Sequence, residues 1–249
     1  MVAQNFSKDS VARRFDSVAE SYDRTATVQA QIARHLAEIA ARKTTQPPSS
    51  ILDIGCGTGF VAEAVVNRWP RADITAVDRS LGMLRQAKRK LPHLRAVAGD
   101  IATMEFDPSF DLILSSMALH WVAEPQKAIK RWQRWLKPGG RLLVAFLVDG
   151  SFFEWRDLCA ASGVPDSLWP LPRADFAEDF AVVEQQTIVT THPSARSFLH
   201  SLKAMGGGTP KPGHKRIGIS AMRKLLRKAP EPFAASYRVL YLETTIPAA

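Results

Sequence analysis

The chain has 249 residues, 46% apolar and 23% charged, ordinary globular usage that excludes wholesale disorder and fibrous repeats. No apolar stretch reaches the roughly 18 residues of a bilayer span and the N-terminus carries no apolar signal region, so a soluble cytoplasmic protein without membrane contact is expected. Net charge is +9 and is localised: residues 1–195 carry 23 Lys/Arg against 22 Asp/Glu, while residues 196–249 carry 10 against 2. The closing fifth is therefore suited to an acidic partner, whether nucleic acid, an anionic surface or an acidic protein.

In chain order, residues 28–43 place Ile32, Leu36, Ile39 and Ala40 on one helical stripe, which the proline-containing linker at 44–50 ends. Short runs rich in branched residues follow at 50–54, 73–77, 94–98, 110–115 and 141–148, with helical spacing between them at 84–91 and 128–136. Alternating strand and helix predicts a mainly parallel sheet covered on both faces. After residue 148 comes a proline- and aromatic-rich stretch at 165–180, a strand at 182–190, a helix at 194–205, a glycine-rich loop at 206–213, a helix from about 220, and a final strand at 237–245. The late helix sets Met222, Leu225, Leu226 and Ala229 against Arg223, Lys224, Arg227 and Lys228. The insertion at 194–233 is too small for a domain and is expected to act as a basic helical lid on the ligand edge of the sheet.

Ile51-Leu-Asp-Ile-Gly-Cys-Gly-Thr-Gly59 is the strongest feature. A buried strand enters a turn whose glycines at 55, 57 and 59 let a ligand lie against bare backbone before a helix begins. Asp78, 25 positions after Asp53, ends the second strand, where such folds place the carboxylate that accepts from ribose hydroxyls. Three details favour a sulfonium nucleoside over a dinucleotide: G-x-G-x-G spacing, an acid two residues before the first glycine, and Gly99-Asp-Ile101. Asp53 suits a cationic methionine amino group and would repel a pyrophosphate. Asp100 suits the adenine amino group, and Ile101 the ring.

At these residues the sequence resembles a class I S-adenosylmethionine-dependent methyltransferase. The match takes in Asp53-x-Gly-x-Gly-x-Gly59, Asp78, Gly99-Asp100, Phe110-Asp-Leu-Ile-Leu-Ser115 and Leu136-Lys-Pro-Gly-Gly140, in order, over residues 50–148. It implies S-adenosyl-L-methionine as cofactor and a Rossmann-like α/β fold with a seven-stranded, mainly parallel sheet in the order 3-2-1-4-5-7-6. It further implies that Arg79, Met83 and Ser115 join Asp53, Gly55, Cys56, Gly57, Gly59, Asp78, Asp100 and Ile101 at the cofactor. One domain is expected: N-terminal helices at 1–45 over the cofactor, a core at 50–148, a fifth-to-sixth strand region at 149–193, the lid at 194–233, and the last strand at 237–246.

The flanks narrow the resemblance. Val11-Ala-Arg-Arg-Phe-Asp-Ser-Val-Ala-Glu-Ser-Tyr-Asp23, Leu114-Ser-Ser-Met-Ala-Leu-His-Trp121 and Phe198-Leu-His-Ser-Leu-Lys-Ala-Met-Gly206 are similar to the malonyl-acyl-carrier-protein O-methyltransferases of biotin synthesis. That implies methyl esterification of a malonyl carboxylate carried on an acidic acyl-carrier protein. Ser116 and His120 depart from the residues common there. No general base is required, since a carboxylate is ionised at pH 7. Lys203, His120 and Trp121 are candidates for holding the substrate, Tyr22 for closing over the methionine end, and Arg223, Lys224, Arg227 and Lys228 for docking the carrier. Another small-molecule acceptor, or an RNA or assembly-factor role, is the alternative; the lack of an RNA-binding signature argues against nucleic acid. Cys56 reads as a small packing residue. Neither Cys56 and Cys159 nor His35, His93, His192, His200 and His214 show metal-ligand spacing, so no metal is expected.

Overall fold

The computed structural model describes residues 8–207 and 217–248. Three helices, α1 (Lys8–Val18), α2 (Tyr22–Thr25) and α3 (Thr27–Lys43), precede the sheet. In α3 the stripe Ile32, Leu36, Ile39 and Ala40 is buried, as its spacing requires. Each of its larger side chains contributes roughly 1.5–3 kcal/mol by leaving water. There follow β1 (Ser50–Ile54), α4 (Phe60–Arg68), β2 (Asp73–Asp78), α5 (Leu81–Lys90), β3 (Arg95–Ala98), β4 (Phe110–Ser116), α6 (Pro125–Gln133) and β5 (Leu136–Leu147). The chain closes with α7 (Phe153–Ala161), β6 (Ala181–His192), α8 (Ala195–Ala204), α9 (Ile219–Lys228) and β7 (Phe233–Thr245).

The sheet runs β3-β2-β1-β4-β5-β7-β6. The first five strands are parallel, and β7 lies antiparallel between β5 and β6. Strand order reverses between β1 and β4, which opens a crevice at their carboxyl ends where such sheets take ligands. Apolar side chains on the two faces of the sheet form separate clusters, one packed with α3 and α4, the other with α6. No described helix is long and apolar enough to cross a membrane.

The edges of the last strands differ from the sequence reading. β7 begins at Phe233, not at 237, because Phe233 and Ala235 are buried and the ladder with β6 runs from His192↔Phe233. β5 begins at Leu136, five residues early, across an irregularity in its pairing with β4 that absorbs the glycine turn. α7 was not anticipated; it buries Trp155 and Cys159 in one of the clusters. Residues 1–7 of the N-terminal region and 208–216 of the glycine-rich loop, with His214, lie outside the described residues.

Candidate functional site

A cavity of about 400 Å³ occupies the crevice. Its base is the turn after β1. Gly55 and Gly57 both have positive φ, 67° and 55°, the left-handed region that side chains resist. A Cβ at Gly55 would lie 2.3 Å from the Ala118 methyl, so the turn closes on the β4 exit only without one. At Gly57 a Cβ would meet nothing within 4 Å, so this stretch of backbone faces open space. Gly59 is not a lining residue; its Cβ position sits 3.2 Å from the Ala87 methyl, which marks close packing between the start of α4 and α5.

Asp78 at the end of β2 is already oriented. Its Oδ2 accepts from the Gly57 amide at 2.9 Å and its Oδ1 from the Ser80 amide at 2.8 Å, leaving further lone pairs for a ligand. Burial raises its pKa, those amides oppose the rise, and Asp16 adds to it. Asp53 differs: it is fully buried, and neither carboxylate oxygen has a hydrogen-bond partner. Burial lifts its pKa to about 7; the Ala62 backbone opposes this and Asp78 reinforces it. Gln29 of α3 lines the same cavity and also carries a buried, unpartnered Oε1. Orphaned acceptors in a ligand-sized cavity each cost about 1–3 kcal/mol unless a donor arrives, so they call for a multi-donor cation. The methionine ammonium of S-adenosylmethionine has that chemistry, and the residues present fit it. Arg79, Met83, Asp100 and Ile101 line the cavity as expected, with Arg79 Nη1 3.8 Å from Asp100 Oδ2 and the Ala102 amide donating to Asp100 Oδ1 at 3.0 Å. Cys56 also lines it, and burial pushes its thiol well above the ordinary range.

The roof is the N-terminal segment. Val11, Ala12, Phe15 and Tyr22 line the cavity. Tyr22 stacks at 6.1 Å on Phe60, and Phe15 meets Trp121 edge-on at 5.8 Å. Burial first, then the charges of Asp78 and Asp23, raises the Tyr22 phenol above its ordinary value and keeps it neutral. Two aspartates fasten this segment. Asp16 Oδ1 accepts from the Ser80 hydroxyl and the Gly82 amide, both at 2.6 Å. Asp23 accepts from the Thr58 hydroxyl inside the glycine turn and from Lys90 Nζ at 2.8 Å. Both pins land at the cavity: Thr58 lines it, and Ser80 follows the lining residue Arg79.

Several expectations need correction. Ser115 does not line the cavity: its Oγ donates to the Ile54 carbonyl at 2.9 Å within the sheet. Strand alternation turns Ser116 to the cavity instead, and its buried hydroxyl has no partner. Met117 takes φ 57°, and a 3-10 turn at Leu119–Trp121 then presents Trp121 to the cavity. His120 is not a lining residue; burial lowers its pKa to about 4, so it is neutral, and its Nδ1 has no partner. Lys203 is exposed on α8 and outside the lining. No described residue of 194–233 lines the cavity, so among the described residues the roof is α1 and α2, and the expected lid meets it from outside, with Gly206 pressed on the Phe15 ring. Arg223, Lys224, Arg227 and Lys228 are all exposed. Among the described residues no His/Cys/Asp/Glu group could hold a metal. Ser116, which the sequence reading marks only as a departure from related proteins, lines the cavity, and Gln29, Asp16 and Thr58 are not singled out by the sequence: Gln29 sits on an amphipathic helix, and Asp16 and Thr58 act through partners distant in sequence.

Comparison with known proteins bears on the same residues. The family model described as Methyltransferase domain matches residues 52–144. A biotin biosynthesis bifunctional protein of Bordetella avium is 35% identical over 88% of the chain, which spans about half (48%) of that longer protein. A malonyl-acyl-carrier-protein O-methyltransferase of Magnetococcus marinus is 31% identical over 90% of this chain and 87% of its own. In fold, the YcgJ protein of Bacillus subtilis superposes with a TM-score of 0.60 at 16% identity, over 86% of this chain and 99% of that one.

Proposed function

The chain belongs to the class I S-adenosylmethionine-dependent methyltransferases, in the sequence family of the malonyl-acyl-carrier-protein O-methyltransferases, and we propose that it esterifies the free carboxylate of a malonyl thioester on an acidic carrier protein. The observation that carries the cofactor half of this reading is the set of buried, unpartnered acceptor oxygens on Asp53 and Gln29. Those oxygens take the methionine ammonium, the free lone pairs of Asp78 take the ribose hydroxyls, and Asp100 with Ile101 takes the adenine. When bound, S-adenosylmethionine supplies a methyl group on a sulfonium sulfur that departs as a neutral thioether.

The acceptor carboxylate, with an ordinary pKa of about 4, is ionised at neutral pH, so no side chain has to remove a proton. What remains for the chain is to hold the oxygen in line with the methyl and keep water out. Phe15, Met117 and Trp121 supply the dry wall. Ser116, with its unpartnered hydroxyl at the end of β4, supplies a donor to the carboxylate, and neutral His120 one turn later supports that end of the site. Masking the charge as a methyl ester suits a carboxyl that chain elongation must then carry through an apolar channel, an early step of the biotin synthesis that the name of the Bordetella avium relative points to. The reading places the protein in the cytoplasm, where the buried thiols Cys56 and Cys159 stay reduced.

Among the described residues two cationic faces suit an acidic carrier: the exposed side of α9, and the surface shared by α2 and α5. The deciding assay is methyl transfer from labelled cofactor to malonyl-carrier protein, malonyl-coenzyme A and free malonate. Preferred transfer to the carrier-bound thioester, weakening as salt rises, is the expected result. Equal turnover on free malonate would overturn the carrier reading.

A further inference from the structure

The roof segment has a second side. While Val11, Phe15 and Tyr22 face the cavity, the same stretch contributes Asp16, Glu20 and Arg24 to a separate concavity of about 310 Å³, completed by Arg85 and Arg89 of α5. Arg24, Arg85 and Arg89 are exposed, and none of the three guanidiniums has an ion-pair or hydrogen-bond partner among the described residues. Of the two carboxylates present, Asp16 is spent on Ser80 and Gly82, which leaves Glu20 alone against three cations. Leu81, 55% exposed, precedes Arg85 and Arg89 by one and two turns on the same helical face, so an apolar anchor sits at the end of the cationic stripe. Planar guanidiniums flanking such an anchor match an acidic helix, whose carboxylates they can hold bidentately.

We propose that this arginine-rimmed concavity between the roof and α5 is the seat of the acidic carrier protein. The inference rests on the carrier reading above and chooses between its two faces, against the sequence expectation of docking on Arg223, Lys224, Arg227 and Lys228. α9 is equally basic, but it packs on α7 and lends nothing to the cavity wall, whereas the concavity and the cavity share one wall, a single helix about 10–12 Å thick. A carrier seated there presses α1 and α2 onto α5 at the Asp16–Gly82 junction and so holds the roof shut while the thioester arm reaches round to the acceptor side.

The test uses the full chain, with charge reversal of R85E/R89E beside R223E/R227E. Kinetics on malonyl-carrier protein, malonyl-coenzyme A and a malonyl-pantetheine thioester without phosphate are compared, and calorimetry with adenosylhomocysteine checks the fold and cofactor site. The expected result is a KM for the carrier substrate raised about tenfold or more by R85E/R89E alone, with the pantetheine KM and the adenosylhomocysteine affinity unchanged. A KM that moves only in R223E/R227E overturns the location in favour of α9. An equal rise with malonyl-coenzyme A overturns it in favour of a simple phosphate site. Failure of the unaltered protein to use the carrier at all would remove the carrier reading itself, and this inference with it.

Discussion

Residues 53–59 and residues 8–25 enclose the same cavity, and they are held in place by different forces. The glycine turn is made of backbone: its shape follows from positive φ values and from the absence of Cβ atoms, and it is wedged between the start of α4 and the β4 exit. The roof is a helix pair fastened by side chains, two aspartates and a few aromatic contacts, with little of its own burial. A wall set by backbone sterics is rigid and fails as a unit, whereas a wall set by a handful of hydrogen bonds opens locally. The expected consequence is that the turn stays fixed when the roof opens.

The sharpest way to break the contrast is at the turn. Gly55→Ala adds a methyl 2.3 Å from that of Ala118 at a φ of 67°, so strain and overpacking together cost about 2–5 kcal/mol. We expect a fall in Tm of about 5–15 °C, with no measurable adenosylhomocysteine binding. Gly57→Ala separates the two effects, because its Cβ meets no protein atom: stability falls by only about 1 kcal/mol while cofactor affinity drops about tenfold or more. Equal affinity in Gly57→Ala and the unaltered chain would mean that the ligand does not lie on this backbone.

The next largest effect is at Asp53, where stability and function should move in opposite directions. A carboxyl whose folded pKa is about 7, raised above its ordinary value, is bound to a proton more often in the native than in the unfolded state, so its burial costs stability as pH rises from about 4 to 7. Asp53→Asn therefore stabilises the ligand-free protein at pH 8, and the gain vanishes by about pH 4. The same change should weaken adenosylhomocysteine binding about 10- to 100-fold at pH 8, because the ammonium loses its counter-charge. In the unaltered chain affinity should decline as pH falls below about 7, and in the Asn variant it should not. A titration series by calorimetry reads both; a pH-independent affinity in the unaltered chain would take Asp53 out of the site.

How much of this was legible beforehand follows the same division. The turn, Asp78 and the alternation of strand and helix are legible because apolar runs, glycines and their spacing are local properties of the chain, whereas the strand order is legible only through the family resemblance that those residues carry. The parity of β4 is not: both faces of a central parallel strand are buried, so nothing in Phe110-Asp-Leu-Ile-Leu-Ser-Ser116 says which serine faces the ligand. Gln29 was hidden for a related reason, since a polar residue on an amphipathic helix looks solvated until the helix is docked. The sequence reading puts the helices at 1–45 over the cofactor but adds a lid at 194–233, where charge and insertion length draw attention, and no described residue of that insertion lines the cavity. The pins at Asp16 and Asp23 reach Ser80 and Thr58 across 64 and 35 positions, a pairing that no periodicity announces.

Those pins give the intermediate prediction. Asp16→Ala removes acceptors from Ser80 and Gly82 and releases the roof without touching the turn, a loss of about 1–3 kcal/mol confined to residues 8–25. Hydrogen exchange should show faster opening of α1 and α2 with the sheet unchanged, and adenosylhomocysteine affinity should fall about five- to tenfold. Uniform loss of protection across the sheet would show instead that roof and core unfold together, and the contrast between the two walls would be gone.

The smallest effect is expected where the sequence reading placed one of the most specific residues. Lys203 falls within the stretch 198–206 that the sequence reading likens to the malonyl-acyl-carrier-protein O-methyltransferases, yet its side chain is exposed on α8, whose buried face is instead Ala195, Phe198 and Leu202. An exposed lysine with four rotatable bonds gains little from any single contact and is largely hydrated. Its neighbours explain the motif better: Leu202 anchors the helix, and Gly206 lets the chain lie against Phe15, where a Cβ would come within 2.8 Å of the ring. We therefore expect Lys203→Ala to change KM for the carrier substrate less than about twofold and stability by less than about 0.5 kcal/mol. Gly206→Ala, by contrast, pushes on the roof through Phe15 and should reproduce part of the Asp16→Ala affinity loss. A tenfold KM rise in Lys203→Ala with Gly206→Ala silent would reverse this assignment and make the lid motif a substrate contact rather than the outer support of the roof.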